Sequence, residues 1–303
     1  MPELPEIIET IESYLASFPK RKKEVQIGFF GGNFTGINIE KQGEYLKIAH
    51  GYLKEGKIQG IRLSTRPDYI TEQVIKLLKK YKVTTVELGA QSMAEEVLLK
   101  SGRGHTVEHT IKASGMIRNA HIRLGLQMMI GLPGDRLEYD IKTASAFVEL
   151  GAEDVRIYPT LVIRGTALEK LYHEKKYQVL SMKEAVERTA SVMKVFEKEN
   201  IRVIRVGLHP SEGLSSGDEL VAGPYHESFR ELVMTAIWAE ELSPLLSPPD
   251  ENSSVEIHTS PAQYNFAIGY EARNKKELLK HYKNVVFMQD EKLKGREYNV
   301  NYR

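Results

Sequence analysis

The chain has 303 residues, a net charge of +1, and 27% charged and 41% hydrophobic residues. These values are typical of a globular protein and give no sign of a highly charged partner. The sequence contains no cysteine, which excludes disulfides and thiolate-bound metal within these residues. No apolar run is longer than a strand. We therefore expect no signal peptide, no membrane contact and a cytoplasmic location.

Apolar segments bounded by turn residues alternate with helical stretches along most of the chain. The predicted strands are residues 25–30, 60–65, 84–88, 122–130, 154–162 and 201–206. The predicted helices are residues 5–18, 45–54, 71–80, 106–119, 137–150 and 182–199. Six strands alternating with helices predict an α/β fold in which a parallel sheet curls into a partial or complete TIM-type barrel.

The last part of the chain has a different pattern. Residues 207–224 form a Gly-, Ser- and Pro-rich loop before a predicted helix at 225–242, and the run SPLLSPPDENSS at 243–254 has the composition of a linker. The tail then reads as a strand, a helix at 262–282 and two strands. We therefore expect a barrel domain at 1–242, a linker at 243–254 and a small α+β module at 255–303.

The segment VQIGFFGGNFTG at 25–36 runs from an apolar strand into a Gly-Gly turn. Gly31 and Gly32 allow a ligand to approach the backbone because neither carries a Cβ. The turn follows the carboxyl end of a strand, which is where α/β barrels build their sites. Taken alone the signal is weak, since such a turn also serves as a tight connection between a strand and a helix.

Parity assigns the faces of the barrel strands, because alternate residues point into the lumen and the others pack against helices. The predicted lumen residues are Arg62, Ser64, Arg66, Glu87, Gly89, Arg123, Gly125, Gln127, Arg156, Tyr158 and Arg202, with Gln91 beyond its strand end. Several arginines thus face one glutamate, Glu87. Each arginine allows two interpretations, a site for an anionic ligand or a buried ion-pair layer around Glu87. The strand-end residues favour a ligand site; they are Ser64, Arg66, Gln91, Ser92 and Gln127.

Three further motifs follow the Gly-Gly turn: TVELGAQS at 85–92, RGHT at 103–106 and MIGLPG at 129–134. Together, in this order, they resemble the Elp3-like branch of the radical S-adenosylmethionine (SAM) enzymes along almost the whole chain. The resemblance implies a radical SAM barrel with a small C-terminal module. It also implies the cofactor SAM and, in complete members, a [4Fe-4S] cluster with which SAM is cleaved reductively to a 5′-deoxyadenosyl radical.

The resemblance also assigns candidate ligand residues. It implies that the SAM amino group contacts Gly31, Gly32, Asn33 and Thr35, the ribose contacts Gln91 and Ser92, and the adenine contacts Tyr158 and Pro159. With the lumen residues, the full candidate set is Gly31, Gly32, Asn33, Thr35, Ser64, Arg66, Glu87, Gln91, Ser92, Gln127, Tyr158 and Pro159. It identifies no catalytic residue and no metal ligand.

One departure from the family concerns the cluster. Family members carry a CxxxCxxC-type loop before the first helix, whereas this chain opens on a predicted helix and has no cysteine. We therefore expect an N-terminally truncated chain without an acetyltransferase domain that binds no [4Fe-4S] cluster and has residues 25–30 as an edge strand. The alternative is a cluster-free module that binds SAM, acyl-CoA or RNA. A metal-dependent barrel hydrolase is disfavoured, because the histidines form no ligand pair at a strand end.

The tail suggests a partner. Residues 271–303 hold nine Lys or Arg and five Asp or Glu, interleaved with Tyr282, Phe287, Tyr298 and Tyr302. Because Elp3-like enzymes act on tRNA, the resemblance implies that this basic module contacts RNA. An ordinary solvated surface with core aromatics is the other interpretation. The edge strand at 25–30 additionally predicts dimers formed through that edge.

Overall fold

The computed structural model describes residues 2–18, 24–247 and 253–302. The chain divides into two compact units, Met1–Tyr158 with Val195–Ile204, and Pro159–Lys194 with Arg205–Arg303. The domain bounds expected from the sequence, at residues 242 and 254, stay a prediction. Residues 248–252 of the expected linker lie outside the described residues.

The helices and strands follow the predicted alternation. In chain order the strands are β1 (Gln26–Phe29), β2 (Gly60–Thr65), β3 (Thr85–Gln91), β4 (Arg123–Ile130), β5 (Asp154–Pro159), β6 (Val162–Ile163), β7 (Arg202–Val206), β8 (Leu220–Ala222), β9 (Ser254–Thr259), β10 (Asn284–Gln289) and β11 (Tyr298–Tyr302). The helices are α1 (Leu4–Ser17), α2 (Ile39–Lys54), α3 (Glu72–Lys80), α4 (Glu95–Lys100), α5 (Val107–Asn119), α6 (Leu137–Glu149), α7 (Ala167–His173), α8 (Met182–Lys198), α9 (Glu212–Ser216), α10 (Phe229–Glu241), α11 (Tyr264–Ile268) and α12 (Arg273–Leu278).

A six-stranded parallel sheet, curled as a half-barrel, has the strand order β1-β2-β3-β4-β5-β7. The apolar set of each central strand is buried against the helices, as parity predicts, with Ile61, Leu63, Val86 and Leu88 fully buried. The predicted α/β partial barrel is therefore confirmed. In the described part of the chain β1 pairs with β2 alone and lies at an edge of the sheet, which confirms the predicted edge strand.

Capping residues set the helix starts. Thr71 Oγ1 accepts a hydrogen bond from the backbone N–H of Val74 at the start of α3, and Thr106 caps α5 in the same way through His109. Each hydroxyl satisfies one of the backbone donors that a helix start leaves free. These caps place α3 directly after the loop that follows β2, and α5 directly after the loop that follows α4. None of the helices in the described ranges is long and apolar enough to cross a membrane.

The second unit contains the predicted C-terminal α+β module. Its sheet has the order β10-β9-β11, with β10 parallel and β11 antiparallel to β9. The single helix expected at 262–282 is wrong, because α11 ends at Ile268, with Gly269 after it, and α12 begins at Arg273. Gly269 has φ 86°, and a Cβ there would lie 3.0 Å from the backbone N of Asn274. This backbone conformation is open to glycine and ends the helix.

The strand expected at 154–162 is two strands. Pro159 ends β5, since proline has no backbone N–H with which to continue a ladder. The following β6 leaves the main sheet and pairs antiparallel with β8. Strand β8 and helix α9 lie in the stretch expected to be a loop at 207–224. The helix expected at 225–242 begins later, at Phe229.

Candidate functional site

The Gly-Gly turn lies just after β1 and is open on its outer side. Gly31 has φ 98°, and apart from the adjoining residues no atom of the described ranges lies within 4 Å of the position that a Cβ would take at Gly31 or Gly32. The positive φ explains the glycine at position 31. The open space beside both residues is the space that a ligand approaching the backbone needs.

Polar side chains tie this turn to the carboxyl end of β2. Asn33 Oδ1 accepts hydrogen bonds from Thr65 Oγ1 at 2.5 Å and from the backbone N–H of Arg66 at 3.2 Å. The backbone N–H of Thr35 donates to Thr65 Oγ1 at 3.3 Å, and Thr35 is buried. Asn33 and Thr35 thus hold the turn in place through β2. Their contact with a SAM amino group stays a prediction. The part of the turn that is open to a ligand is the backbone of Gly31 and Gly32.

A cavity of about 550 Å³ extends from the turn along β1 and α1. Its walls are mainly apolar and include Ile7 and Ile11 of α1, Phe29 and Phe30 at the end of β1, and Ser64 of β2. Aromatic and aliphatic walls with few polar groups are typical of sites that bind the flat, apolar parts of small ligands.

Glu87 is the centre of a buried ion-pair cluster. Its carboxylate accepts hydrogen bonds from Arg156 Nε at 2.5 Å and Nη2 at 3.1 Å and from Gln127 Nε2 at 3.0 Å, and Arg62 Nε lies 3.1 Å from Oε1. Gln127 Nε2 also donates to Ser64 Oγ at 3.4 Å. Burial lowers the pKa of Arg156, but the bonds to Glu87 outweigh it, so the pKa is raised. The ion-pair interpretation of the lumen therefore holds for Glu87, Arg62 and Arg156.

A second buried carboxylate was missed by the sequence reasoning. Asp154 is 1% exposed and binds Arg62 Nη2 at 3.0 Å through Oδ2 and Arg202 Nη2 at 2.7 Å through Oδ1. The expectation that several arginines face one glutamate is thus wrong, because two acids share three arginines. Asp154 has the same strand parity as Arg156 and Tyr158, so the alternation of β5 could have identified it. The cluster keeps one positive charge in excess.

Strand β3 has a register shift, of the kind seen in a β-bulge, just before its last residue, Gln91. The register with β4 runs Leu88 to Leu126 and then Gln91 to Met128, so β3 contains one residue more than its partner. Gln91 has φ 66°, a conformation uncommon for a residue with a side chain. Such bulges and strained residues are frequent beside functional sites.

Ser92 follows Gln91 and is buried, with 2% of its surface exposed. Its Oγ accepts a hydrogen bond from the backbone N–H of Ala94 at 3.2 Å and lies 3.5 Å from Thr143 Oγ1. The hydroxyl is thus used inside the protein, and its contact with a ribose stays a prediction. Tyr158 and Pro159 end β5, Tyr158 in the first unit and Pro159 in the second, and their contact with adenine also stays a prediction.

Arg103, in the loop between α4 and α5, is a half-buried cation without a carboxylate partner in the described residues. Its Nη2 donates to Met129 Sδ at 2.7 Å near the carboxyl end of β4. Its Nε is buried and has no hydrogen-bond partner in the described part of the chain, where no carboxylate lies within 4.0 Å of the guanidinium either. Burial and the nearby charge of Arg66 lower the pKa of Arg103. Arg66 itself is paired, with Nη2 2.8 Å from Asp68 Oδ2.

An unpaired cation that is partly withdrawn from water is unfavourable, so this place favours an anion. Sequence reasoning did not assign Arg103 a role, since the residue lies in a loop without periodicity, although its motif RGHT was singled out. The neighbouring His105 is buried, its Nε2 donates to the carbonyl of Ala90 at 3.0 Å, and burial lowers its pKa. His105 is therefore neutral near pH 7 and does not supply further positive charge.

The residues present fit one implied cofactor and not the other. The open glycine turn and the unpaired Arg103 suit the amino acid end of SAM, which carries an amino group and a carboxylate. A [4Fe-4S] cluster needs thiolate ligands, and the 303 residues contain none, so the chain does not fit the cluster. In the described ranges, no group of three or more His, Asp or Glu residues is arranged to hold a metal ion.

The aromatic residues of the C-terminal module are mostly structural. Tyr282 and Phe287 are buried, and Tyr298 donates a hydrogen bond to the carbonyl of Glu241 and packs against Trp238. Tyr302 is the exposed member, at 49%. The interpretation of core aromatics therefore holds for Tyr282 and Phe287, while the predicted RNA contact of the module stays a prediction.

Comparisons with known proteins agree with the motifs and the fold. The model of the Radical SAM superfamily matches residues 4–146, and that of the Radical_SAM C-terminal domain matches residues 152–238. A "tRNA uridine(34) acetyltransferase" of Methanocaldococcus infernus is 33% identical over 176 residues, which cover 56% of this chain and 33% of the relative. "Elongator complex protein 3" of Saccharomyces cerevisiae is 32% identical over 180 residues, covering 58% of this chain and 32% of the relative. The chain spans about a third of the length of these curated relatives.

A solved structure extends the likeness to the fold. The archaeal Methanocaldococcus infernus Elp3 with an N-terminal deletion (1-46) superposes with a TM-score of 0.67 at 27% identity, covering 78% of this chain and 57% of that chain. The two family models match parts of both units of the chain, and the four motifs lie within the matched residues. The chain therefore belongs to the radical SAM superfamily, and the relatives that it resembles are Elp3 proteins.

Proposed function

We propose that the carboxyl edge of the half-barrel sheet binds SAM, and that this chain supplies the SAM-binding part of an Elp3-like radical SAM enzyme. The observation that carries the proposal is Arg103, a half-buried guanidinium with a buried Nε and no carboxylate partner in the described residues, which lies beside Arg66 at the strand ends. Because a cation partly withdrawn from water is stabilised by a counter-ion, the carboxylate of SAM is the group that we assign to it.

The amino group of SAM is assigned by the chemistry of the glycine turn. The open backbone of Gly31 and Gly32 suits the amino group, because no side chain among the residues that the structure describes occupies that space. The glycine turn is fixed to β2 by Asn33 and does not need to rearrange. Such preorganisation lowers the entropic cost of binding. In the family, SAM together with the cluster supplies a radical that removes hydrogen from a substrate.

The substrate class that we propose is RNA. Two relatives are named for tRNA modification or for the Elongator complex, and this assignment rests on that kinship. An RNA substrate also agrees with the cytoplasmic location expected from the sequence. Because the 303 residues contain no thiolate, we propose for them alone the binding of SAM and no reductive cleavage. The predicted absence of 5′-deoxyadenosine formation is tested by adding iron, sulfide and a reductant to the protein and analysing the products.

Isothermal titration calorimetry with SAM tests the proposal. We expect weak binding by the wild type, because chelation by the cluster is missing; a loss of about 4 kcal/mol corresponds to about a thousandfold in affinity. Arg103→Met should weaken binding further by about tenfold or more, since bonds to charged groups contribute about 1.5–3 kcal/mol. Gly32→Val should abolish it by filling the open side of the turn.

The matched control is Arg123→Met. Arg123 lies at the amino end of β4, at the opposite edge of the sheet, and pairs with Glu153 on the surface, so its replacement should leave SAM binding unchanged. Equal binding by the wild type, Arg103→Met and Gly32→Val would contradict the proposal. Binding of acetyl-CoA in place of SAM would favour the alternative of a cluster-free acyl-CoA module.

A further inference from the structure

A second cavity lies on the helical side of the first unit, between α3 and α5. It measures about 590 Å³. Its lining residues are Ile70, Thr71, Glu72, Ile75, Lys76, Lys79, Lys112, Met116, Asn119 and Ala120. None of these residues takes part in the strand-end site, so the groove requires its own explanation. We call it the α3–α5 groove.

The floor of the α3–α5 groove is apolar. Ile70 and Ala120 are buried, and Ile75 and Met116 are half-buried, so aliphatic side chains face the opening. Methionine adapts its shape to different partners and is common at binding surfaces. A floor of this kind can receive one apolar side chain from outside.

The rim of the groove is basic and uncompensated. Lys76 and Lys79 of α3 and Lys112 of α5 are exposed, and none of them has a carboxylate within 4.0 Å in the parts of the chain that the structure describes. Glu72 is the single acid among the lining residues. Some other surface lysines are paired, as Lys100 is with Glu96 and Lys57 with Glu55. The net charge of the chain is only +1, so this rim is a local excess.

We infer that the α3–α5 groove docks an acidic segment of a partner protein that carries an apolar anchor side chain. Carboxylates of the segment would face the three lysines, and the anchor would enter the floor beside Ile75 and Met116. This arrangement corresponds to the recognition of an amphipathic peptide in a groove. The charges would steer the encounter and orient the segment, and the anchor would supply most of the affinity.

RNA fits this groove less well. Single-stranded RNA is bound mainly by aromatic stacking and by arginine, and the lining contains neither. A phosphate backbone would use the lysines and leave the aliphatic floor exposed to water. The acidic peptide uses both the rim and the floor, which is why the observations favour it.

Fluorescence anisotropy with synthetic peptides tests the inference on the full chain. The probe is a fluorescein-labelled peptide of about 14 residues made of Glu and Leu, with Leu at helical i, i+4 and i+7 positions. One comparison peptide has Lys in place of Glu, and another has Ser in place of Leu. We expect the Glu/Leu peptide to bind, the Lys/Leu peptide not to bind, and the Glu/Ser peptide to bind at least about tenfold more weakly.

Variants of the groove locate the binding. Lys76→Glu/Lys79→Glu should weaken the Glu/Leu peptide by about tenfold or more and reduce its salt dependence, because surface charges act through screened attraction. The matched control Lys142→Glu/Lys198→Glu changes the same number of exposed lysines on α6 and α8 and should leave binding unchanged. Met116→Gln changes the floor without changing charge and should also weaken binding. SAM binding should be the same in all of these variants, which keeps this test separate from that of the proposed function.

Three results would overturn the inference. The first is no binding of the Glu/Leu peptide at low salt. The second is an equal loss in the groove variant and in the control variant, which would show non-specific attraction. The third is binding of a single-stranded oligouridine that is lost on reversal of Lys76 and Lys79 while the peptide does not bind, which would make the groove a nucleic-acid surface.

Discussion

Replacing Glu87 with glutamine is expected to destabilise the first unit strongly. The substitution keeps the size of the side chain and removes the charge that Arg62 and Arg156 share. It also places an amide N–H₂ donor where two guanidinium groups and Gln127 now donate. The cluster formed with Asp154 and Arg202 would change from one to two excess positive charges.

The magnitude follows from burial. Glu87 is 1% exposed, and the Arg62 and Arg156 side chains are 17% and 15% exposed, so water can screen the unpaired charges only in part. Removing one partner of a buried pair costs about 3–5 kcal/mol, and the residual exposure of the arginines favours the lower end. With a urea slope of about 3 kcal/mol per molar, the unfolding midpoint should fall by about 1 M.

The assay combines urea unfolding followed by circular dichroism with hydrogen exchange of peptides from β2 and β3. The matched control is Glu153→Gln, which breaks the exposed pair of Glu153 with Arg123 and should cost at most about 1 kcal/mol. Glu87→Gln/Arg156→Gln should be less destabilised than the sum of the two single variants. Equal effects of Glu87→Gln and Glu153→Gln would refute the view that this cluster is a buried structural layer.

Three other predictions concern separate parts of the chain. Burial lowers the pKa of His105, so the folded chain binds a proton at this residue less readily than the unfolded chain does. The free energy of unfolding should therefore be unaffected by His105 above about pH 6.5 and should fall as the pH drops below that value. In urea titrations between about pH 7 and 5, His105→Gln should lose less stability than the wild type, and an equal loss in both would argue against this. Gly269→Ala should lower the free energy of unfolding by about 1–3 kcal/mol, because φ 86° is unfavourable for alanine. The fluorescence of Trp238, which lies in the same unit, follows the unfolding. An unchanged free energy of unfolding would show that the helix break is not fixed at Gly269. Two copies of the chain should associate through the β1 edge at high protein concentration, and Phe30→Lys should reduce this association in sedimentation velocity. The control Leu99→Lys, at the exposed Leu99 of α4, should leave the association unchanged. An equal effect of both substitutions would contradict an interface at β1.

Much of the fold could be predicted because the strands are strongly patterned. The alternation of residues along the strands placed Arg62, Glu87 and Arg156 on one face. The structure brings these side chains together in ion pairs, which was one of the two interpretations that the sequence allowed. The helix break at Gly269 could not be predicted from periodicity, since it depends on the backbone of Asn274, which is close to Gly269 in the folded chain. A lone glycine inside an apolar pattern does not reveal the sign of its φ.

The site was predicted less completely, because its residues come from loops. Gly31 and Gly32 were identified from their position after a strand. Arg103 was not, because its significance lies in the lack of a carboxylate partner among the described residues, and a sequence does not show which charges remain unpaired. Conversely, Ser92 was expected to face a ligand, while its Oγ is engaged with the backbone of Ala94.

The most direct test of the proposed SAM site is a thermodynamic cycle between Arg103 and the carboxylate of SAM. Calorimetry would compare SAM with its methyl ester, which lacks the negative charge, on the wild type and on Arg103→Met. If Arg103 binds the carboxylate, the variant should lose about tenfold or more in affinity for SAM, or about 1.4 kcal/mol, and nothing for the ester. Equal losses for both ligands, or no loss for either, would contradict the assignment of this strand-end arginine to SAM.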